Sequence, residues 1–245
     1  MKICLIGQNL TNLILAHVFT EKKLAVDLYI NNKNKYNKTE RTIAISSENF
    51  DYLKNLAKTS IPSWKTSEIK IYVEKLKSNE IINFKNKNKS VFNLLSYTKL
   101  EQCYKKKIKN NNYVNIYKFS TSSVNFLNKI KSYDLVINTE NKNIITRKYF
   151  NNKILKSYNS RAYTFIISHK KILNNTASQI FTKYGPLAFL PISNSKTSIV
   201  FSCLGRLRTD KEIIDLFKNY NLFYKENKIN KVEKFDLKFS MLRNY

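Results

Sequence analysis

The residues most suited to chemistry lie at the first turn of the chain. An apolar run at 3–6 ends in Gly7, and Gly7-Gln8-Asn9-Leu10-Thr11-Asn12 leads into a helical pattern. A strand that turns sharply into a helix presents backbone N–H groups at the helix N-terminus, where a phosphate can bind. The usual device is a glycine at each of three positions with spacing GxGxxG. Here only the first is glycine, and Asn9 and Asn12 stand at the other two. Asparagine tolerates the left-handed region better than most residues, so the turn can form, but its side chains occupy space beside the anion. Three further groups carry chemistry. Arg41 opens a strand-like segment with a permanent, forked charge suited to phosphate. Glu140 follows an apolar run ending at Asn138. Gly185-Pro186 opens the segment GPLAFLP, in a chain with only three glycines and three prolines.

Other chemistries lack their residues. Cys4, Cys103 and Cys203 are widely spaced and odd in number, which suits a reducing compartment and opposes a disulfide framework or a zinc site. His17 and His169 are the only histidines, and neither has metal-ligand spacing. No P-loop, no Ser-His-Asp arrangement and no paired carboxylate signature is present.

The elements that must position these residues follow from periodicity. KICLIG is a short buried strand; Leu10, Leu13, Ile14 and Val18 recur at helical spacing; 24–30 is a second strand, ending in Ile30 and Asn31 with no acidic residue. Together they predict a βαβ unit. A lysine-asparagine loop at 31–40 precedes Arg41, and Phe50, Leu53 and Leu56 mark a short helix that ends before Pro62 and Trp64. The runs 69–73 and 81–84 predict a hairpin, 83–90 a loop, 94–108 a helix, and 114–119 and 124–130 two strands. Gly185-Pro186 predicts a turn. Residues 187–190 form the first arm of a hairpin that Pro191 ends, 193–196 turn, and 198–203 return. Alternation in that first arm places Leu187 and Phe189 on one face and Ala188 and Leu190 on the other. The first pair forms either a ligand wall or core. A helix at 211–218, capped by Thr209 or Asp210, and a strand at 235–239 close the pattern.

The chain has 245 residues and 42% hydrophobic content, enough for one large domain or two small ones. Its net charge is +27. Lys, Asn, Ile, Tyr and Phe are abundant together and share A/T-rich codons, so mutational bias accounts for the charge as well as selection does. The functional readings are an anionic membrane surface or a polyanion. The lysines are scattered, and no nucleic-acid-binding signature is present, which argues against specific nucleic-acid recognition. No apolar run reaches the length of a membrane span, and the expected location is cytoplasmic.

The segment FTKYGPLAFLPISNSKTSIVF at 181–201 resembles the "GPLALLP…SLVWS" segment of the FAD-dependent aromatic hydroxylases of ubiquinone biosynthesis, a flavin monooxygenase family. Tyr158, Ala162, Ala177, Gln179 and Phe181 fall on that family's "Y.Q.A…A.Q.F" pattern. Arg41 with 42–47 is similar to its "R…ALS..S" segment, and 134–147 to its "DLLVGADG..S.VR", with Glu140 at the aspartate and Asn141 at a glycine.

The resemblance implies an α/β fold: a Rossmann-like FAD-binding domain at 1–64 and 90–152, and a more antiparallel substrate domain at 65–89 and 153–245. It implies FAD at Gly7, Asn9, Asn12, Arg41 and Glu140, with NAD(P)H as reductant, and a prenylated phenol at Gly185, Pro186, Leu187 and Phe189. Catalysis would rest on the flavin and O₂ rather than on a side-chain acid or nucleophile. Partners would be other ubiquinone-biosynthesis proteins and, peripherally, the inner face of an anionic membrane. No "GDAAH"-like segment follows the matched region, which implies a C-terminally truncated member. Two functional expectations stand together: a working flavin hydroxylase, or a degenerate member that binds a lipid-phenol or a partner protein without turnover.

Overall fold

Ile3, Cys4, Leu5 and Ile6 are all fully buried, so the strand they form needs an apolar layer on each side. In the computed structural model, which describes residues 1–31, 41–58, 60–74, 79–86, 89–118, 124–140, 143–225 and 228–242, that strand is β1 (Lys2–Ile6). It is followed by α1 (Leu10–Glu21), β2 (Ala25–Ile30), β3 (Thr42–Ser46), α2 (Ser47–Ala57), β4 (Trp64–Thr66), β5 (Glu68–Val73) and β6 (Glu80–Lys85). Next come β7 (Phe92–Ser96), α3 (Tyr97–Lys109), β8 (Val114–Lys118), α4 (Val124–Ile130), β9 (Leu135–Asn138) and α5 (Ile144–Tyr149). The remaining elements are β10 (Lys153–Ser168), β11 (Thr176–Thr182), β12 (Gly185–Ser193), β13 (Lys196–Leu204), α6 (Asp210–Tyr220), β14 (Lys228–Ile229) and β15 (Glu233–Leu242).

The first sheet is parallel throughout, in the order β8-β2-β1-β9. Alternation along β1 and β2 divides its residues between two layers. Ile3, Leu5, Val26 and Leu28 pack with residues of α1, α2 and α3, while Cys4, Ile6 and Tyr29 pack with Phe126, Ile130 and Ile145 on the other side. The second sheet has eight strands, β14-β10-β13-β12-β11-β5-β6 with β15 added to β10, and only β11 and β5 pair in parallel. α6 covers one of its faces through Ile213 and Phe217, which meet Tyr163, Phe165, Phe189 and Phe201. Thr209 caps this helix, with Glu212 completing a capping box. A third sheet, β3-β7-β4, is small and antiparallel and packs on β12. The expected α/β architecture, a parallel Rossmann-like sheet beside an antiparallel one, is what the chain adopts. Among the described residues no helix is long and apolar enough to cross a membrane.

Several local expectations are corrected. Residues 124–130 are the helix α4, not a strand. Phe126 and Ile130 are both buried, and their four-residue spacing puts both on one helical side. Leu94 and Leu95 belong to β7, and the helix begins only after Ser96 caps it. β3 and β7 form their own sheet rather than extending the parallel one. Residues 83–85 lie in β6 rather than in a loop. Strand β12 runs through Pro191 to Ser193, with an irregularity between them. Of the expected loop at 31–40 only Asn31 is described, and Phe119 and Asn141 also lie outside the described residues.

The expected turn at Gly185-Pro186 falls two residues earlier, and Gly185 is the first residue of β12. Its φ is +131°, and a Cβ there would lie 2.1 Å from the backbone oxygen of Ser202. Gly205 also has positive φ, +84°, but a Cβ there would meet nothing within 4 Å. Gly185→Ala should therefore cost about 3 kcal/mol or more, combining backbone strain with an overpacked contact, and Gly205→Ala only about 1 kcal/mol from strain. Urea unfolding of both variants checks this, and equal losses would contradict it.

Candidate functional site

The C-terminal ends of β1 and β9 meet where the parallel sheet changes direction, the usual place for a ligand in an open α/β sheet. Gly7 has φ +110°, and a Cβ there would lie 2.8 Å from Glu140 Cγ and 2.9 Å from Thr139 Oγ1. Backbone and neighbours both demand glycine. The Gly7 amide donates to the Tyr29 carbonyl at 2.9 Å, which ties the turn to β2.

Both asparagines are engaged by the chain itself. Asn9 caps α1, its Oδ1 accepting from the Asn12 amide at 3.2 Å. Its Nδ2 reaches across to β9 and donates to Thr139 Oγ1 at 2.7 Å and to the Thr139 carbonyl at 3.2 Å. Asn12 is fully buried. Its Nδ2 donates to the carbonyls of Ile6 and Gly7, each at 2.8 Å, while its buried Oδ1 has no partner among the described residues. On the β9 side, the amides of Glu140 and of the Asn143 side chain both donate to Asn138 Oδ1, and Thr146 Oγ1 donates to the Glu140 carbonyl at 2.6 Å. Gly7, Asn9 and Asn12 lie at this turn beside Thr139 and Glu140; the Asn9 side chain bridges the crevice to Thr139, while Asn12 holds the end of β1.

No carboxylate stands at the end of β2. Asp27, three residues before that end, is buried in the sheet and accepts from Tyr133 Oη at 2.5 Å and Asn115 Nδ2 at 2.9 Å. Beside it, burial pushes the Cys4 thiol up to about 12, with Asp27 adding to the shift. Cys4 is therefore no nucleophile.

Arg41 belongs to a second place. It lines a cleft of about 420 Å³ between the small sheet and the face of the large one turned away from α6. Its guanidinium lies 4.3 Å from the centroid of the Phe235 ring. Trp64, Leu94, Ser96, Lys99, Ile192 and Lys196 also face this cleft. Behind them Asn174, 3% exposed, acts as an anchor. Its carbonyl accepts from Trp64 Nε1 at 2.7 Å, and its side-chain amide donates to the Ser193 carbonyl at 2.7 Å. Tyr224 Oη donates to Asn174 Oδ1 at 2.9 Å. His169 contributes through Thr197, its Nε2 lying 3.0 Å from Thr197 Oγ1.

The hairpin residues expected to face a ligand do not reach the cleft. Leu187 and Phe189 are fully buried. Phe189 packs edge-on to Phe223 at 4.9 Å and beside Phe217 of α6 at 6.0 Å. Gly185 and Pro186 begin the strand, and Ile192 and Ser193 at its far end line the cleft. At about 3.3 Å per residue the separation is roughly 23 Å. Trp64, Asn174, Ile192 and Lys196 are missing from the sequence-based site. Only the continued alternation through Pro191 could have placed Ile192.

No family model matches the chain, and no curated protein matches it. Solved structures do. p-Nitrophenol 4-monooxygenase from Pseudomonas putida is 9% identical with a TM-score of 0.70, over 98% of this chain and 69% of that one. A putative FAD-containing monooxygenase from Photorhabdus luminescens is 11% identical with a TM-score of 0.66, over 98% of this chain and 77% of that one. HpxO of Klebsiella pneumoniae, solved in complex with FAD, is 10% identical with a TM-score of 0.64, over 90% of this chain and 63% of that one. The chain has the flavin-hydroxylase fold, that of the FAD-dependent monooxygenases it is similar to.

The residues of the crevice do not fit the dinucleotide of that fold as they stand. A pyrophosphate at the α1 N-terminus would have to displace the Asn9 side chain and lie beside the Glu140 carboxylate. That burial of hydrophobic hairpin residues is structural can be tested directly. Phe189→Ser should lower stability by about 3–5 kcal/mol, the range for emptying a large core site, read by thermal or denaturant unfolding. A near-unchanged melt would return Phe189 to a ligand wall.

Proposed function

We propose that this chain is a flavin-monooxygenase-like protein that binds a prenylated phenol, or a partner protein that handles one, without turning it over on a conventionally held FAD. The observation that carries the reading is the Asn9 bridge to Thr139, which closes the crevice where the fold's dinucleotide would lie. The fold supports the flavin-monooxygenase character. The sequence resemblance over 158–203 supports the ubiquinone-pathway phenol, and the net charge of +27 supports a peripheral place at an anionic membrane, where such a lipid resides.

A second reading has its own support. Gly7 keeps the positive φ the turn requires, and Asn9 caps the helix that follows it. If the Asn9 side chain swings away, the first-turn amides, which have no partner within the helix, remain as anion donors. The protein would then be an FAD-dependent aromatic hydroxylase using NAD(P)H and O₂.

Flavin content separates the two. The purified protein should be colourless and should take up no stoichiometric FAD in a calorimetric titration. Asn9→Gly with Glu140→Gln should raise FAD affinity about tenfold or more, a gain of roughly 1.4 kcal/mol. Asn12→Gly should instead lower stability, because Asn12 holds the end of β1 rather than facing the crevice. A parent protein that purifies yellow, with one FAD per chain, would establish the second reading over the first.

A further inference from the structure

We propose that strand β6, at the edge of the eight-stranded sheet, pairs antiparallel with β6 of a second copy of this chain, so that two sheets become one. This goes beyond the function proposed above and does not depend on it.

Strand β6 follows β5 at the end of the sheet, and among the described residues no strand lies beyond it. All six of its residues, EIINFK, are exposed. Ile81, Ile82 and Phe84 keep 44%, 44% and 51% of their surface in water. An edge of this kind is a template for another strand unless charge, proline or irregularity blunts it. β6 has no proline, and its one irregularity lies near its start, at Ile81. Its charges are paired within the chain. Lys85 lies 3.9 Å from Glu68, Lys70 of β5 lies 2.8 Å from Glu80, and the Asn83 side chain donates to both glutamates. Two acids thus balance two lysines along β5 and β6, in a chain whose net charge is +27. The strand pair is a neutral place on a basic molecule, where a second copy meets little repulsion.

The backbone selects the register. The Asn86 amide donates to the Ser67 carbonyl, on the β5 side. Bonding groups alternate in direction along an antiparallel strand, and the register of β6 on β5 is unbroken from Lys85 to Ile82. The amides and carbonyls of Phe84 and Ile82 therefore point to β5, and those of Lys85 and Asn83 point away from it. Two identical strands that pair antiparallel are related by a two-fold axis. With the axis at Asn83, that residue faces Asn83 of the second copy, and each donates to the other's carbonyl. Ile82 then faces Phe84 of the second copy, and Phe84 faces Ile82 of the second copy, in the pairs whose side chains stand closest. These side chains lie on the same side of the sheet as Ile69 and Ile71, which they oppose in β5. The joined sheet carries one continuous apolar strip, four residues from each copy. An axis at Phe84 would set Ile82 against Asn86, and an axis at Ile82 would set Glu80 against Phe84. The register at Asn83 is the one that matches apolar with apolar. Strands this short bury less than about 1,200 Å² between them, which makes the association weak and reversible.

Sedimentation of the full chain tests this. The weight-average mass should rise with concentration from that of one chain toward that of two. Added sodium chloride should strengthen the association, because it screens the repulsion between two basic copies; a polyanion bridging them would lose its hold instead. Asn83→Pro removes an outward N–H and no bond to β5, and should weaken association at least about tenfold. Phe84→Lys, at an exposed position, should do the same with a thermal melt close to the parent's, and it carries the comparison alone if Asn83→Pro does not fold. Disulfide formation reads the register. Under mild oxidation Asn83→Cys should give a reducible dimer, since the Cα atoms of a hydrogen-bonded pair lie about 5.5 Å apart. Lys85→Cys should give no more than the parent chain oxidised alongside, since its two copies stand four positions, roughly 13 Å, apart. A mass of one chain at every concentration, association that falls with salt, folded variants that still associate, or equal cross-linking through Lys85→Cys would each overturn the proposal. None of these measurements reads flavin content, so their failure would leave the function proposed above standing.

Discussion

The central strand of the parallel sheet ends on two carbonyls, those of Ile6 and Gly7, and both are held by one buried side-chain amide, Asn12 Nδ2. Much of the first sheet depends on this. β1 lies between β2 and β9 with apolar layers on both faces, so its backbone can be satisfied only along the sheet and at its ends. The turn that leaves it is fixed by Gly7 toward β2 and by Asn9 toward β9. Asparagine suits this work because its amide both donates and accepts within one short side chain. The arrangement leaves Asn12 Oδ1 buried without a described partner, a cost of about 1–3 kcal/mol that the two short bonds from Nδ2 offset.

The crevice at the strand ends and the cleft at the small sheet differ in character. The crevice at β1 and β9 is filled by uncharged amides and hydroxyls and carries the Glu140 carboxylate. The cleft at the small sheet carries cations on an apolar wall. Scarce acids are used elsewhere for structure. Asp27 is buried in β2, Glu212 completes the α6 cap, and Glu74 accepts from the Lys183 amide and Tyr220. Arg206 and the Thr209 cap hold Glu212 well down, to about 2, so it stays ionised at its cap in any mild acid.

The sequence made local relations legible and distant ones not. The βαβ unit was readable because a buried strand, a helical period and a second buried strand follow one another within thirty residues. The grouping of Gly7, Asn9 and Asn12 was readable for the same reason, since one turn holds them all. Residues 124–130 were misread because Val, Phe and Ile favour strands and seven residues carry few helical repeats. The neighbours of Arg41 and of the hairpin are not legible in the sequence, because they are set by packing across sheets. Trp64 and Asn174 are 110 residues apart and meet through one hydrogen bond, and no spacing rule connects them. Leu187 and Phe189 were placed correctly on one face of a strand, but the period alone does not say which face a helix will cover. α6, arriving later in the chain, decides it.

On the reading proposed above, the side chains of the crevice would take over the stabilising part that a bound dinucleotide plays. A nucleotide-binding protein gains stability from its ligand by mass action, about 2.7 kcal/mol when the ligand is at a hundred times its dissociation constant. Its glycine turn leaves helix amides for that ligand to engage. Here the bonds are made by side chains of the chain itself: Asn9 to the helix and to Thr139, Asn12 to Ile6 and Gly7, Asn143 to Asn138. At about 1 kcal/mol each for well-formed bonds, a handful equals what a bound cofactor contributes. The same side chains that stabilise the ligand-free fold raise the cost of admitting the ligand, because each must be broken first. On the binding reading proposed above, stability without the dinucleotide and weak affinity for it would be one property, carried by the same hydrogen bonds.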